Sequence, residues 1–157
     1  MNRLINAVLV IGVAYLVWLL LQQQKIVPPI NTTAKANRFI EKWIQTVGTH
    51  NADAITNLYS DDAVLLGTVA EQINQGRGAI NRYFKEFVLK RPKAKLDKII
   101  IKRSGLNGYV ADGDYTFTLT DGRGEVQMVP ARFTFVLRPT LEGFKITTHH
   151  SSEVPTM

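Results

Sequence analysis

From Ala34 onward apolar residues recur every three or four positions. Phe39, Trp43, Ile44 and Val47 share one face, which predicts a helix stopped by Gly48. "NADAITNLYS" predicts a second, short helix capped by Asn51, with Ile55, Leu58 and Tyr59 turned inward. "DAVLL" reads as a short strand, and "INQGRGAI", despite its glycines, as a turn. A third helix then carries Ile80, Phe84, Phe87 and Val88 at helical spacing and is ended by Pro92.

Beyond Pro92 the period falls to two. "AKLDKIIIKRS", "YVADGDYTFTLT", "VQMVPARFTFVLRP" and "GFKITTHHSS" read as strands, joined by glycine-containing turns such as "GLNG" and "DGRGE". Helices first and a long sheet afterwards predict an α+β fold, a cone-shaped curved antiparallel sheet wrapped around the helices, with a cavity between the layers. Asp112 and Asp114 are expected to flank Gly113 in a bulge or turn.

The last strand ends on imidazoles and hydroxyls, "KITTHHSSEVP". Strict alternation puts Lys145, Thr147, His149 and Ser151 on one face and Ile146, Thr148, His150 and Ser152 on the other. His149 with Ser151, or His150 with Ser152, is therefore a possible pair on one wall; His149 with His150 is not.

The segment before Ala34 has a different character. Leu4–Leu21 carries no charge and, at about 1.5 Å per residue, reaches about 27 Å, near the thickness of a bilayer core. Residues 1–25 are therefore expected to be a retained transmembrane anchor, with a cleaved signal segment as the competing reading. Residues 26–33, with Pro28 and Pro29, form a linker, and 34–157 the folded domain. Arg3 ahead of the span favours a cytoplasmic tail and an exported domain, periplasmic or lumenal, secreted if the segment is cleaved.

Composition removes several classes of chemistry. The chain has no cysteine, so disulfides, thiolate zinc sites and cysteine nucleophiles are excluded. Its three histidines show no metal-binding spacing, and a histidine-built metal site is not expected. The net charge of +6 is densest from Lys85 to Arg103, interleaved with apolar residues, without an aromatic stacking array for nucleic acid. No phosphate loop, dinucleotide fingerprint or nucleophile elbow is present.

"HHSSEVP", together with "LLGTV", "RYFKEF", "GDYTFTL" and "RFTFVLRP", resembles the iota class of carbonic anhydrases. That class is built on the association-domain fold of calcium/calmodulin-dependent kinase, within the nuclear-transport-factor-2-like superfamily. The likeness covers about Ala34 to Pro155. It implies interconversion of CO2 and bicarbonate, without a metal or other cofactor in some members of the class. It also implies a pocket made by Thr68, Tyr83, His149 and Ser151, in which the hydroxyls hold water and bicarbonate oxygens and His149 accepts or relays the proton. Phe133 and Phe135 would form the apolar wall that receives CO2. The chain departs from the class in having Gly67 where proline is common before the threonine, and Val154 where methionine is common. The same fold also serves as a non-catalytic oligomerisation hub or a small-molecule binder; an isomerase-like relative would need an acid in the cavity, for which Asp112 or Asp114 is the candidate. A homodimer or higher homo-oligomer is the fold-level expectation.

Overall fold

The computed structural model describes residues 32–105 and 108–155. The apolar segment Leu4–Leu21 and most of the linker lie outside these, and among the described residues no helix is long and apolar enough to cross a membrane. Helices α1 (Thr32–Val47), α2 (Ala52–Thr56) and α3 (Gly76–Phe87, extended by a 3-10 turn to Lys90) accompany six strands. These are β1 (Tyr59–Leu66), β2 (Asn74–Gln75), β3 (Lys93–Ser104), β4 (Gly108–Thr120), β5 (Val126–Thr140) and β6 (Gly143–Glu153).

Local chemistry accounts for the element ends. Asn51 caps α2, its side-chain oxygen accepting from the Ala54 amide at 3.0 Å. α3 begins at Gly76, whose φ of +77° is cheap only for glycine, so "NQG" turns from the short strand β2 directly into a helix. Tyr59, expected inside the second helix, instead opens β1; its backbone turns extended two residues after the cap Asn57.

All six strands form one sheet in the order β2-β1-β6-β5-β4-β3. The meander β3–β6 is antiparallel, as expected, but β1 pairs with β6 in parallel, so the sheet is mixed. The long excursion from β1 through α3 and the meander brings β6 back alongside β1 in the same direction, which a short hairpin cannot do.

On β4 and β5 the alternation is regular. Tyr109, Ala111, Tyr115 and Phe117 are buried on one strand, Ala131, Phe133, Phe135 and Leu137 on the other. Large residues face small ones across the pair: Gly113 opposes Phe133, Ala111 opposes Phe135 and Ala131 opposes Tyr115. Gly113 therefore sits in a continuously paired stretch of β4 and not in a turn or bulge of its own strand. A Cβ there would meet the Lys98 carbonyl and the Phe133 ring. The irregularity lies on the neighbouring strand, at Asp97.

β6 departs from strict alternation. Val136 pairs with Thr148 but Leu137 with Ile146, leaving Thr147 as an extra residue. The bulge shifts the phase by one, so Ile146, His149 and Ser151 all face the core, whereas an unbroken strand would put Ile146 opposite the other two. Helix α1 delivers Phe39, Ile40 and Trp43 to this concave face, and α3 delivers Ile80, Phe84 and Phe87. Both helices thus cover the sheet.

Candidate functional site

His149 and Ser151 are polar, yet only 2% and 5% exposed. Each owes its position to register. His149 lies between Phe135 on β5 and Leu65 on β1, and Ser151 lies opposite Phe133. The imidazole stacks on Phe135 with centroids 3.8 Å apart and meets the Trp43 indole edge-on at 5.2 Å. His150 is exposed, so alternation does separate the two histidines.

Polar groups buried this deeply must be paired, and here they form a connected series. Trp43 Nε1–H donates to the Tyr59 hydroxyl at 3.1 Å, and that hydroxyl lies 2.8 Å from Nδ1 of His149. Nε2 of His149 faces the Tyr115 hydroxyl at 3.4 Å, and Tyr115 donates to Ser151 Oγ at 2.6 Å. Ser151 is in turn hydrogen-bonded to Thr68, and Thr68 also reaches Tyr115. Among the described residues no buried side-chain nitrogen or oxygen lacks a partner.

Tyr83 enters from α3. Its ring stacks on Phe87 at 5.8 Å and meets Phe84 edge-on at 5.2 Å, and its hydroxyl is bonded to the Val69 backbone. The ring lies against Gly67, where an added Cβ would fall inside the phenol, 2.6 Å or less from its atoms. Proline or any other side chain at residue 67 would displace Tyr83 from this position. Beside it opens a cleft of about 520 Å³ lined by Val69, Gln72, Arg82, Tyr83, Glu86 and Phe87.

Burial sets the ionisation of the site. Desolvation, aided by the nearby His150, lowers the pKa of His149 to about 3, so the imidazole is neutral. Desolvation raises the phenols of Tyr83, Tyr115 and Tyr59 above their ordinary value, and mutual repulsion raises Tyr59 and Tyr115 further. The site is therefore an uncharged assembly of hydroxyls and one imidazole at neutral pH.

The four side chains expected at the pocket stand as follows. His149 and Ser151 are interior, Thr68 is half-buried and bonded to Ser151, and Tyr83 is half-buried beside Gly67 at the cleft. Phe133 and Phe135 back them as core wall, 4% and 0% exposed. Asp112 and Asp114 lie on the other face of β4, where Asp112 accepts from Thr134, so neither supplies an acid to this interior. Among the described residues no group of three or more histidines and acids is placed to hold a metal.

Sequence reasoning overlooked Trp43, Tyr59 and Tyr115 as members of the site. A signal existed: a tyrosine on the inward face of an element must find a partner for its hydroxyl. Tyr115 shares the inward face of "GDYTFTL" with Phe117, and Tyr59 was already expected to point inward.

A family model for the SnoaL-like domain matches residues 36–157. No curated protein matches the chain. Among solved structures, one described as a calcium/calmodulin-dependent protein kinase II association domain, from Xanthomonas campestris, is 34% identical. It covers 78% of this chain and 87% of its own, with a TM-score of 0.74. A nuclear transport factor 2-like superfamily protein from Salmonella enterica serovar Typhimurium is 20% identical over 80% of this chain and 94% of its own, with a TM-score of 0.69. A ketosteroid isomerase-like protein from Erwinia carotovora is 14% identical over 81% and 99%, with a TM-score of 0.68. The last two show a common fold only.

Proposed function

The chain belongs to the SnoaL-like domain family, within the nuclear-transport-factor-2-like fold, and from that premise we propose that its site hydrates CO2 to bicarbonate. The observation that carries this reading is the joining of Thr68 and Ser151, through Tyr115, to His149, with Tyr83 at the adjoining cleft. Thr68, Tyr83, His149 and Ser151 are the residues that the resemblance to iota-class carbonic anhydrases implies; Tyr115 is an addition to them.

Hydration forms one bond, from a water oxygen to the CO2 carbon; a C=O electron pair moves onto oxygen and one proton leaves. The Thr68 hydroxyl and the Tyr83 phenol would hold the nucleophilic oxygen and the developing bicarbonate oxygens by hydrogen bonds, with Ser151 behind Thr68 holding its hydroxyl in place. The aromatic wall of Phe133 and Phe135 gives CO2 an apolar face. Positioning in such a site supplies up to about 7–11 kcal/mol of the barrier.

His149 takes a different part from a free imidazole of pKa about 6.5. With its pKa lowered to about 3, it is a weak proton acceptor at neutral pH. Its part is to hold Tyr115, and through it Ser151, in place. The proton then leaves toward solvent by way of the cleft.

This gives the pH–rate profile a definite shape. No group in the site changes charge between about pH 4 and 9. With water as the nucleophile, hydration should therefore stay flat across that range, with no inflection near 6.5. Stopped-flow measurement from pH 6 to 9 checks this; a rate that climbs through an inflection near 6.5 to a plateau would make a histidine the working base. In the same assay Tyr83→Phe and Thr68→Val should each lower kcat by about 10²–10³-fold, the usual cost of losing one oxyanion donor. Rates unchanged in both variants would remove the site from the reaction.

The cleft volume favours a second reading. About 520 Å³ lies within the range of pockets for small organic molecules, far more than CO2 occupies. A ligand-binding domain without hydratase activity would bind such a molecule against Tyr83 and Phe87 and leave CO2 hydration at the buffer rate.

A further inference from the structure

Indole Nε1–H is a donor with no acceptor capacity, and that of Trp43 is spent on the Tyr59 oxygen, 3.1 Å away. An oxygen receiving that bond has its own O–H to give, and Nδ1 of His149 lies 2.8 Å from it. Were Nδ1 itself protonated, two donors would converge on the Tyr59 oxygen. The phenol hydrogen would then need another acceptor in surroundings only 1% exposed and formed in part by Phe84 and the Trp43 ring. A buried donor left without an acceptor costs about 1–3 kcal/mol.

We infer that the Tyr59 hydroxyl, closed on its other side by the Trp43 donor, fixes the neutral imidazole of His149 as the Nε2–H tautomer, and so gives the hydroxyls of Tyr115, Ser151 and Thr68 a single direction. Nε2–H points at the Tyr115 oxygen, 3.4 Å away, and the Tyr115 O–H goes to Ser151 at 2.6 Å. Tyr115 already donates to Ser151, so the buried Ser151 hydrogen has to find another acceptor, and Thr68 is its remaining partner. The series ends at Thr68, half-buried and next to Val69 of the cleft wall. Its hydrogen is the one left to move between the Tyr115 oxygen and an anion bound outside. Trp43 and Tyr59 are thereby positioning residues, acting on the Ser151 and Thr68 hydroxyls through His149 and Tyr115. Their catalytic consequence rests on the carbonic anhydrase reading; the tautomer does not.

The same geometry limits what the series can carry. Its inner end is closed by a donor that cannot accept, so a proton entering from Thr68 has no exit beyond Tyr59. The series orients hydrogens and does not conduct them inward.

Nitrogen NMR of the full chain labelled with 15N-histidine tests the assignment. There are three histidines, and His50→Gln and His150→Gln identify the other two signals. The expected spectrum shows His149 with a protonated Nε2 and a bare Nδ1 from pH 5 to 8. Tyr59→Phe keeps the ring volume but removes the O–H given to Nδ1, so the bare Nδ1 resonance should move to that of an unbonded nitrogen, and kcat for hydration should fall with it. A wild-type Nδ1–H signal overturns the inference, and so does an Nδ1 resonance unmoved in the folded variant. If that variant does not fold, the wild-type spectrum alone decides between the two tautomers. A bare Nδ1 that loses its bond in the variant, in a protein that does not hydrate CO2, upholds the tautomer and removes the carbonic anhydrase reading alone.

Discussion

Alanine at Gly67 should lower CO2 hydration by about 10²-fold or more while leaving the domain folded. The new methyl would fall inside the Tyr83 phenol, so the two cannot both keep their places. The backbone of residue 67 follows directly on β1, whereas Tyr83 is half-buried at a cleft into which its ring can swing. The ring therefore yields, leaving its stack on Phe87 and its bond to the Val69 backbone. A displacement of about 1 Å at a positioning group is enough for a loss of that size. Stopped-flow kcat and a thermal melt, measured together, check the expectation. Full activity in a folded Gly67→Ala protein would show that Tyr83 is not held for catalysis.

His149→Ala should destabilise the domain by about 3–5 kcal/mol at pH 7 and also flatten its acid sensitivity. The truncation leaves a space between Phe135 and Trp43 and deprives the Tyr59 hydroxyl of its acceptor, two costs that add at one place. The acid effect follows from linkage. His149 has a pKa of about 3 in the folded state and about 6.5 when unfolded, so between these values the unfolded chain binds one more proton. Its share of stability is whole above pH 6.5 and is lost as pH falls toward 3, by up to about 1.4 kcal/mol per pH unit. Urea unfolding from pH 4 to 7.5 should show a steeper fall for the wild type than for the variant. Equal slopes would mean that His149 is solvated and titrates normally.

The sequence carried the strands better than the site. Period-two runs bounded by glycine turns placed β3 to β6 within a residue or two, because each strand has one buried and one solvated face. Three features escaped that rule. The bulge at Thr147 inserts one residue without any glycine or proline to mark it, so Ile146 was assigned to the wrong face. The parallel pairing of β1 with β6 is a long-range event that no local pattern encodes. Gly113 looked like a turn residue because glycine usually is one; its actual cause, the close approach of Phe133 and the Lys98 carbonyl, comes from neighbouring strands. At the site, alternation separated His149 from His150 but left His149 with Ser151 and His150 with Ser152 as equal pairs; only the resemblance chose the first, and the burial of the inward face goes with it. The roles of Trp43 and Tyr59 depend on which donor meets which acceptor, and that is fixed only once α1, β1 and β6 are packed.

The rate of CO2 hydration by the purified domain after exhaustive chelation bears most directly on the claim that hydroxyls and a neutral imidazole suffice for this chemistry. The account predicts a saturable rate well above the buffer reaction, undiminished by chelator and not raised by added zinc. A rate equal to buffer alone, or one that appears only when zinc is restored, would contradict it.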